Sequence, residues 1–249
     1  MGKVMLVTGG SRGIGAATAR LAARDGWDVC VNYARNADAA HAVVADVEAA
    51  GQRAVAIQAD MGKPEDVARL FAEHDAAFGR LDAFVNNAGI VNRMSRLDAR
   101  DPADLQNIIA INLTGAILGC AEAVRRMSTG HGGDGGAIVN VSSVASRLGG
   151  AGNYVDYAAT KGGIDSLTIG LAQEVAGEGI RVNAVRPGVI DTDIHDDLGD
   201  APGRVARLGA TVPAKRAGTA DEVAETIVWL CSDAASYVSM TLMELSGAR

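Results

Sequence analysis

Short runs rich in Val, Ile and Ala alternate along the chain with longer stretches in which apolar residues recur at helical spacing. Residues 3–8, 28–33, 53–58, 82–86, 137–141 and 181–185 are the short runs. Their centres are mostly apolar, the pattern of strands covered on both faces. Residues 241–245 form a weaker seventh. Helical spacing predicts helices over 13–25 and 36–51, and over a third stretch with Pro64 in its first turn and Gly79 just past its end. Further helices are predicted from Asp101-Pro102 to Met127, over 155–176, and after the capping box Thr219-x-x-Glu222. Residues 128–136 are glycine-rich and read as a surface loop. Residues 191–213 are polar, acidic and weakly periodic, the character of a lid or binding loop.

Strands alternating with helices imply an α/β fold with a parallel, doubly wound, seven-stranded sheet and helices on both faces. At 249 residues without an obvious linker, the chain reads as one domain over 1–249 with a substrate loop at 191–213. Composition adds little to that picture, with 48% hydrophobic and 21% charged residues. The scarcity of aromatics and abundance of Gly and Ala suit close helix-on-sheet packing. A net charge of −7 argues against a nucleic-acid partner, which calls for a basic face. Cys30, Cys120 and Cys231 are odd in number and far apart, so they read as reduced thiols of a cytoplasmic protein. The N-terminus lacks the basic-then-apolar order of a signal peptide. No apolar run is read as long enough to span a membrane, so no membrane partner is expected.

The chemistry begins at Thr8-Gly9-Gly10-Ser11-Arg12-Gly13-Ile14-Gly15, between the first strand and the first helix. Glycines here permit positive φ and close approach of a ligand to the backbone. The helix N-terminus behind them offers N–H groups and a positive dipole end to a pyrophosphate. Residues 9–13 also match the GxSxG nucleophile elbow of hydrolases, but an elbow normally follows several strands, not the first. A P-loop is excluded because no Lys-Ser/Thr pair follows Gly15. The spacing TGxxxGxG resembles the cofactor loop of the short-chain dehydrogenase/reductase family.

The resemblance extends over nearly the whole chain. Asn86-Asn87-Ala88-Gly89 matches the family's NNAG motif. Asn112, Ser143, Tyr157 and Lys161 match its catalytic Asn, Ser, Tyr and Lys. Pro187-Gly188 with Thr192 matches the turn at the nicotinamide end. The resemblance implies a single-domain Rossmann fold, a nicotinamide cofactor, a small-molecule carbonyl or alcohol substrate, no metal, and a homotetramer. Bacterial sugar dehydrogenases and 3-oxoacyl carrier-protein reductases share the stretches around Tyr157 and Thr192, which leaves the substrate open.

The residues also make chemical sense by themselves. Tyr157 and Lys161 lie four apart on a predicted helix and share a face. An ammonium and a cationic nicotinamide would favour the phenolate, letting Tyr157 exchange a proton with the substrate oxygen. Ser143 would hold that oxygen. By resemblance, Lys161 also binds ribose hydroxyls and Asn112 anchors a relay water. Ser142 and Ser143 are adjacent, and the second is favoured.

For the cofactor, the second predicted strand ends Asn32-Tyr33-Ala34-Arg35 with no Asp or Glu to bind ribose hydroxyls. Arg12 and Arg35 are placed to hold a 2′-phosphate, so NADP is expected, with NAD the alternative. Asp60 resembles the family's adenine-contacting Asp. The cofactor set is therefore Gly9, Ser11, Arg12, Gly13, Ile14, Arg35, Asp60, Asn87, Ala88, Gly89, Tyr157, Lys161, Pro187, Gly188 and Thr192. Two rivals stand beside an NADP(H)-dependent oxidoreductase: an NAD-linked sugar or polyol dehydrogenase, and an idle, cofactor-sensing binding protein. Asp193, His195, Asp196 and Asp197 read as a solvated loop face rather than metal ligands. Met240 and Ala248 stand where the family usually has glycine.

Overall fold

The computed structural model describes residues 2–192, 194 and 203–249. Its strands are β1 (Val4–Val7), β2 (Asp28–Tyr33), β3 (Ala54–Gln58), β4 (Ala83–Asn86), β5 (Gly136–Val141), β6 (Ile180–Pro187), β7 (Ile190–Asp191), β8 (Gly218–Thr219) and β9 (Leu242–Leu245). Seven of them form one sheet in the order β3-β2-β1-β4-β5-β6-β9, with every pair parallel. The helices are α1 (Gly13–Arg24), α2 (Ala37–Ala49), α3 (Pro64–Phe78), α4 (Pro102–Ile109), α5 (Ala116–Met127), α6 (Ala145–Leu148), α7 (Val155–Val175), α8 (Arg204–Thr211) and α9 (Ala220–Cys231).

Strand alternation sorts the core into two layers. Met5 and Val7 of β1 pack with Ala16, Ala19 and Ala23 of α1, Val43 and Val47 of α2, and Val223 and Ile227 of α9. Val4 and Leu6 face the other way, onto Leu70 and Phe71 of α3, Cys120 and Ala123 of α5, and Ala172 and Val175 of α7. Successive strands run outward from β1 on one side and from β4 on the other. The reversal opens a crevice at the carboxyl ends of these two strands, the place where doubly wound sheets bind ligands.

Helix ends follow the local chemistry. Pro64 starts α3, and Gly79 closes it in the left-handed conformation at φ 71°. The box at the start of α9 is formed in both directions, Glu222 N to Thr219 Oγ1 at 3.2 Å and Thr219 N to Glu222 Oε2 at 2.8 Å.

The structure departs from the sequence expectation in four places. The helix expected to run unbroken to Met127 contains a π-helical turn at Ala110–Gly115. The irregular stretch 191–213 contains the end of β7, which pairs with β8, and all of α8; residues 193 and 195–202, with His195 and its acidic neighbours, lie outside the described residues. The short α6 had no periodic signal of its own. Finally, residues 102–127 are long and apolar enough to cross a membrane, contrary to the reading that no such run exists. They flank the sheet instead: Ile108, Asn112, Ala116, Cys120, Ala123 and Met127 are buried, and Arg126 pairs with Asp75 of α3 at 2.7 Å.

Both departures from family glycines have a backbone consequence. Met240 adopts φ 67° and Ala248 φ 71°, the left-handed region that costs an L-residue roughly 1–2 kcal/mol. Replacing Met240 with Gly removes that strain but adds chain entropy to the unfolded state. The balance is expected to raise the melting temperature by about 2–4 °C in a calorimetric scan. A fall would show that the Met240 side chain, which accepts from Gln173 Nε2 at 3.7 Å, outweighs the strain.

Candidate active site

The turn between β1 and α1 is built by hydrogen bonds from both sides. Buried Thr8 accepts from Asn87 N at 2.9 Å and Ala88 N at 3.0 Å, and Asn87 Nδ2 donates back to Thr8 O at 2.8 Å and Gly9 O at 3.1 Å. From β2, Asn32 accepts from Gly9 N at 3.1 Å while its Nδ2 reaches Ala59 O at 3.0 Å. Gly9 sits at φ 60°, and a Cβ on Gly15 would lie 2.4 Å from Gly9 O, so both positions demand glycine. The Arg12 side chain makes no capping bond to α1. Gly13 and Ile14, in the first turn of α1 where helix N–H groups lack intrahelical partners, line a cavity.

That cavity has a volume of about 1110 Å³ and runs along the carboxyl ends of the strands, large enough for a dinucleotide and a small substrate. It brings together every sequence-derived site residue except Asn112, which lies just behind it. Gly9, Ser11, Gly13, Ile14, Asn87, Ala88 and Gly89 form the cradle beside Arg12, Arg35 and Asp60. One Asp60 oxygen is taken by Gly62 N at 2.9 Å in the loop after β3. Pro187, Gly188 and Thr192 close the far wall, and a Cβ added to Gly13 would touch Thr192 Cγ2 at 3.4 Å. A backbone cradle, an open helix N-terminus and two guanidinium groups fit a nicotinamide dinucleotide. The described histidines, His41, His74 and His131, do not line this cavity, so Ser11 lacks the partner of a hydrolase nucleophile among the described residues.

Tyr157, Ser143 and Lys161 meet in the same cavity. Ser143 and Tyr157 both line the cavity, with Ser143 Oγ accepting from Ala145 N at 3.1 Å, and Lys161 Nζ lies 5.6 Å from the Tyr157 ring centre. Ser142 is engaged elsewhere, within reach of Asp165 Oδ1 at 2.7 Å and Lys161 O at 3.1 Å. Lys161 is buried and donates to Val141 O at 2.7 Å. Asn112 Oδ1 accepts from Ile90 N at 2.8 Å, and its Nδ2 donates to Ile90 O at 2.8 Å and reaches Thr160 Oγ1 at 3.4 Å. These bonds fix the backbone just after Gly89.

Electrostatics in the protein alone differ from the expected phenolate. Burial pushes the Tyr157 phenol up to about 12, against the lowering effect of the Ser143 hydroxyl. Burial also brings the Lys161 ammonium down to about 8, partly offset by Asp165. The weakly held ammonium, turned towards Val141 O, does not offset the desolvation of the phenol.

Two anchoring residues, Thr8 and Asn32, were missed by sequence reasoning. A polar residue inside an apolar strand was the available signal for Asn32, and nothing in its spacing showed what it would bind.

The Lys161 shift gives a signed test. A folded-state value below that of the unfolded lysine penalises the fold at neutral pH, and the penalty fades as pH rises from 8 towards the ordinary lysine range. Lys161→Met is therefore expected to improve its melting temperature relative to the parent most at pH 7, with the difference moving against it by about pH 10. A gap independent of pH would contradict a desolvated ammonium.

Comparison with known proteins agrees with this geometry. A family model described as enoyl-(acyl carrier protein) reductase matches residues 9–247. The chain is 50% identical over 246 residues to the uncharacterized oxidoreductase YgfF of Escherichia coli K12, covering 99% of each. It is 40% identical to a 3-oxoacyl-[acyl-carrier-protein] reductase of Synechocystis, covering 98% of this chain and 96% of the relative. A crystal structure of a short-chain dehydrogenase from Burkholderia cenocepacia in complex with NADP superposes with a TM-score of 0.89 at 36% identity, covering 99% and 97%. With its seven-stranded parallel sheet and its glycine turn, the chain belongs to the short-chain dehydrogenase/reductase family of oxidoreductases.

Proposed function

We propose that the chain is an NADP(H)-dependent carbonyl reductase in which Tyr157 gives the proton, Ser143 holds the substrate oxygen, and Lys161 orients the cofactor ribose and the phenol. The observation that carries this reading is the meeting of Ser143, Tyr157 and Lys161 in the same cavity as the glycine cradle, with Lys161 Nζ 5.6 Å from the Tyr157 ring centre. When bound, the nicotinamide supplies or accepts the hydride. A phenol held protonated to about 12 is ready to donate to a developing alkoxide at neutral pH, which favours the reductive direction. Ser143 adds a second hydroxyl at the oxygen where charge develops. Asn112 keeps Ile90, and hence Gly89, in place beside Lys161, since a Cβ on Gly89 would lie 3.6 Å from Lys161 Nζ.

NADP is favoured over NAD by the end of β2. Among the described residues, those lining the cavity at this end include Ala34, Arg35 and Asn36 together with Arg12, and the end of β2 itself carries no carboxylate. Two guanidinium groups suit the charge and geometry of a 2′-phosphate, which a ribose diol lacks. The solved relative bound to NADP supports the same choice. Val91, Leu148, Tyr154, Val189, Ile194 and Leu208 line the cavity beyond Tyr157, which favours a ketone with an apolar body. Exposed Ile109 and Ile117 on the flank of the sheet, and Trp229 and Tyr237 near its β9 edge, support association through two faces, as a homotetramer requires.

Titration with NADPH and NADH is expected to show tighter NADPH binding, weakened about tenfold or more in Arg12→Ala/Arg35→Ala with little change for NADH. Equal affinities in the parent would overturn the NADP assignment. Tyr157→Phe is expected to lower kcat by roughly 10²–10⁴-fold with cofactor affinity kept; turnover at the parental rate would remove Tyr157 as proton donor. Light scattering is expected to give a mass four times that of the chain, and a monomer would defeat the tetramer.

A further inference from the structure

Arg100 and Asp156 form a buried ion pair that the chemistry above does not use. Their side chains are 5% and 1% exposed, and Arg100 Nε lies 3.0 Å from Asp156 Oδ2. That Nε is out of line for a hydrogen bond, and the directed contact is Nη2 to Asp156 Oδ1 at 3.2 Å. The same guanidinium donates through Nη1 to Arg93 O at 2.7 Å and through Nη2 to Asn153 O at 3.5 Å. Asn92 Nδ2 supplies a further bond to Asp156 Oδ2 at 3.1 Å, and Ser95 N donates to Asn153 O at 2.9 Å. One guanidinium thus gathers the segment after Gly89, the turn before α7, and the first turn of α7.

Position gives the pair its meaning. Asp156 precedes Tyr157 in the chain. Ile90 and Val91, immediately before Asn92, line the cavity, as do Tyr154 and Tyr157 on either side of Asp156. The start of α7 has no capping bond from the side chain of Tyr154. The turn that carries Tyr157 is therefore held from outside, by a residue more than fifty positions earlier. A buried ion pair is a poor device for stability alone, because apolar residues of the same volume do as well. A forked cation that reaches three segments at fixed angles is a good device for position.

We propose that Arg100 and Asp156 are positioning residues, a clamp that holds the Tyr157 hydroxyl and the 90–94 segment at the reacting carbonyl. The clamp acts through the first turn of α7 and through Asn92, without contact to substrate or cofactor. It rests on the reading of Tyr157 as proton donor. A shift of the phenol by about 1 Å is enough to cost on the order of 100-fold in rate. The cradle at the other end of the cavity depends on Thr8, Asn32 and Asn87, so cofactor affinity is independent of the clamp.

The test uses the full chain with Arg100→Met, and Asp156→Asn where the first variant melts too early, since Asn keeps the volume and the contact with Asn92. Hydrogen–deuterium exchange without ligand is expected to rise at least about tenfold in residues 90–100 and 153–157, and to stay unchanged in the β1–α1 turn. Exchange unchanged in the first two segments, or raised throughout, overturns the clamp. Kinetics with NADPH and a ketone panel including cyclohexanone and ethyl acetoacetate are expected to show kcat reduced about 10- to 100-fold, with the NADPH Kd within about twofold of the parent. A kcat within threefold of the parent, or a parallel loss of NADPH affinity, overturns the positioning role. Tyr157→Phe serves as the control. If it turns over normally, the proton-donor reading falls and exchange alone judges the clamp; if it is inactive while Arg100→Met is as fast as the parent, only the clamp falls.

Discussion

The site depends first on a reciprocal set of hydrogen bonds across the place where the strand order reverses. At the ends of β1 and β4 the ladder stops, leaving at the crevice the N–H groups of Ala88 and of Asn87, the latter also within 3.1 Å of Val85 O. The Thr8 hydroxyl takes both, and the Asn87 amide returns bonds to Thr8 O and Gly9 O. Asn32 performs the same service from β2, joining Gly9 N to the carbonyl of Ala59. Buried Thr8 and Asn32, with half-buried Asn87, thus shape a glycine turn that glycine alone would leave loose. Because the order is built at folding, a ligand entering the cradle meets backbone groups already in place.

The same crevice holds two titratable groups in their less soluble surroundings. Lys161 is buried and Tyr157 half-buried, and desolvation moves each towards its neutral form. A core would not keep such a pair for stability. The arrangement is economical for proton donation: the phenol holds its proton over the whole neutral range, and Ser143 stands beside it to share the charge of the product oxygen. Oxidation asks for the opposite state, and it needs a positive charge brought in with the oxidised cofactor before the phenolate becomes accessible.

What could be read from the residues alone divides along a physical line. Strands buried on both faces, the glycine turn, the Tyr157–Lys161 spacing and the box at Thr219 are local signals, because each is written within a few consecutive residues. The positions of all seven sheet strands followed from them, with ends shifted by a few residues. The π-helical turn, α6, the β7–β8 pair and α8 carry no such local mark; they follow from contacts with distant segments. Asn112 shows the difference within one residue. Its identity was legible, but the bonds its side chain makes to Ile90 and Thr160 are set by the fold. Arg100 and Asp156 were ordinary charges on the page of sequence, and only the meeting of two loops gives them a joint task.

The helix pair α4–α5 carries the last lesson of this kind. Composition could not separate a sheet-flanking helix from a membrane-crossing one, because lipid and the back of a sheet both ask for apolar side chains. The small residues separate them. A Cβ on Gly115 would lie 2.0 Å from Met61 O, and one on Gly119 would lie 2.9 Å from Phe84 Cζ. Each glycine therefore answers to one named neighbour in the loop after β3 or in β4, a demand that lipid chains, having no fixed positions, cannot make. That close approach seats the π-helical turn against the crevice wall, where a widened helix can aim Asn112 at both backbone groups of Ile90. The apolarity of the run brings it to the sheet, and the glycines decide how near it comes. The distance they set is what allows a helix on the flank to hold a residue of the site.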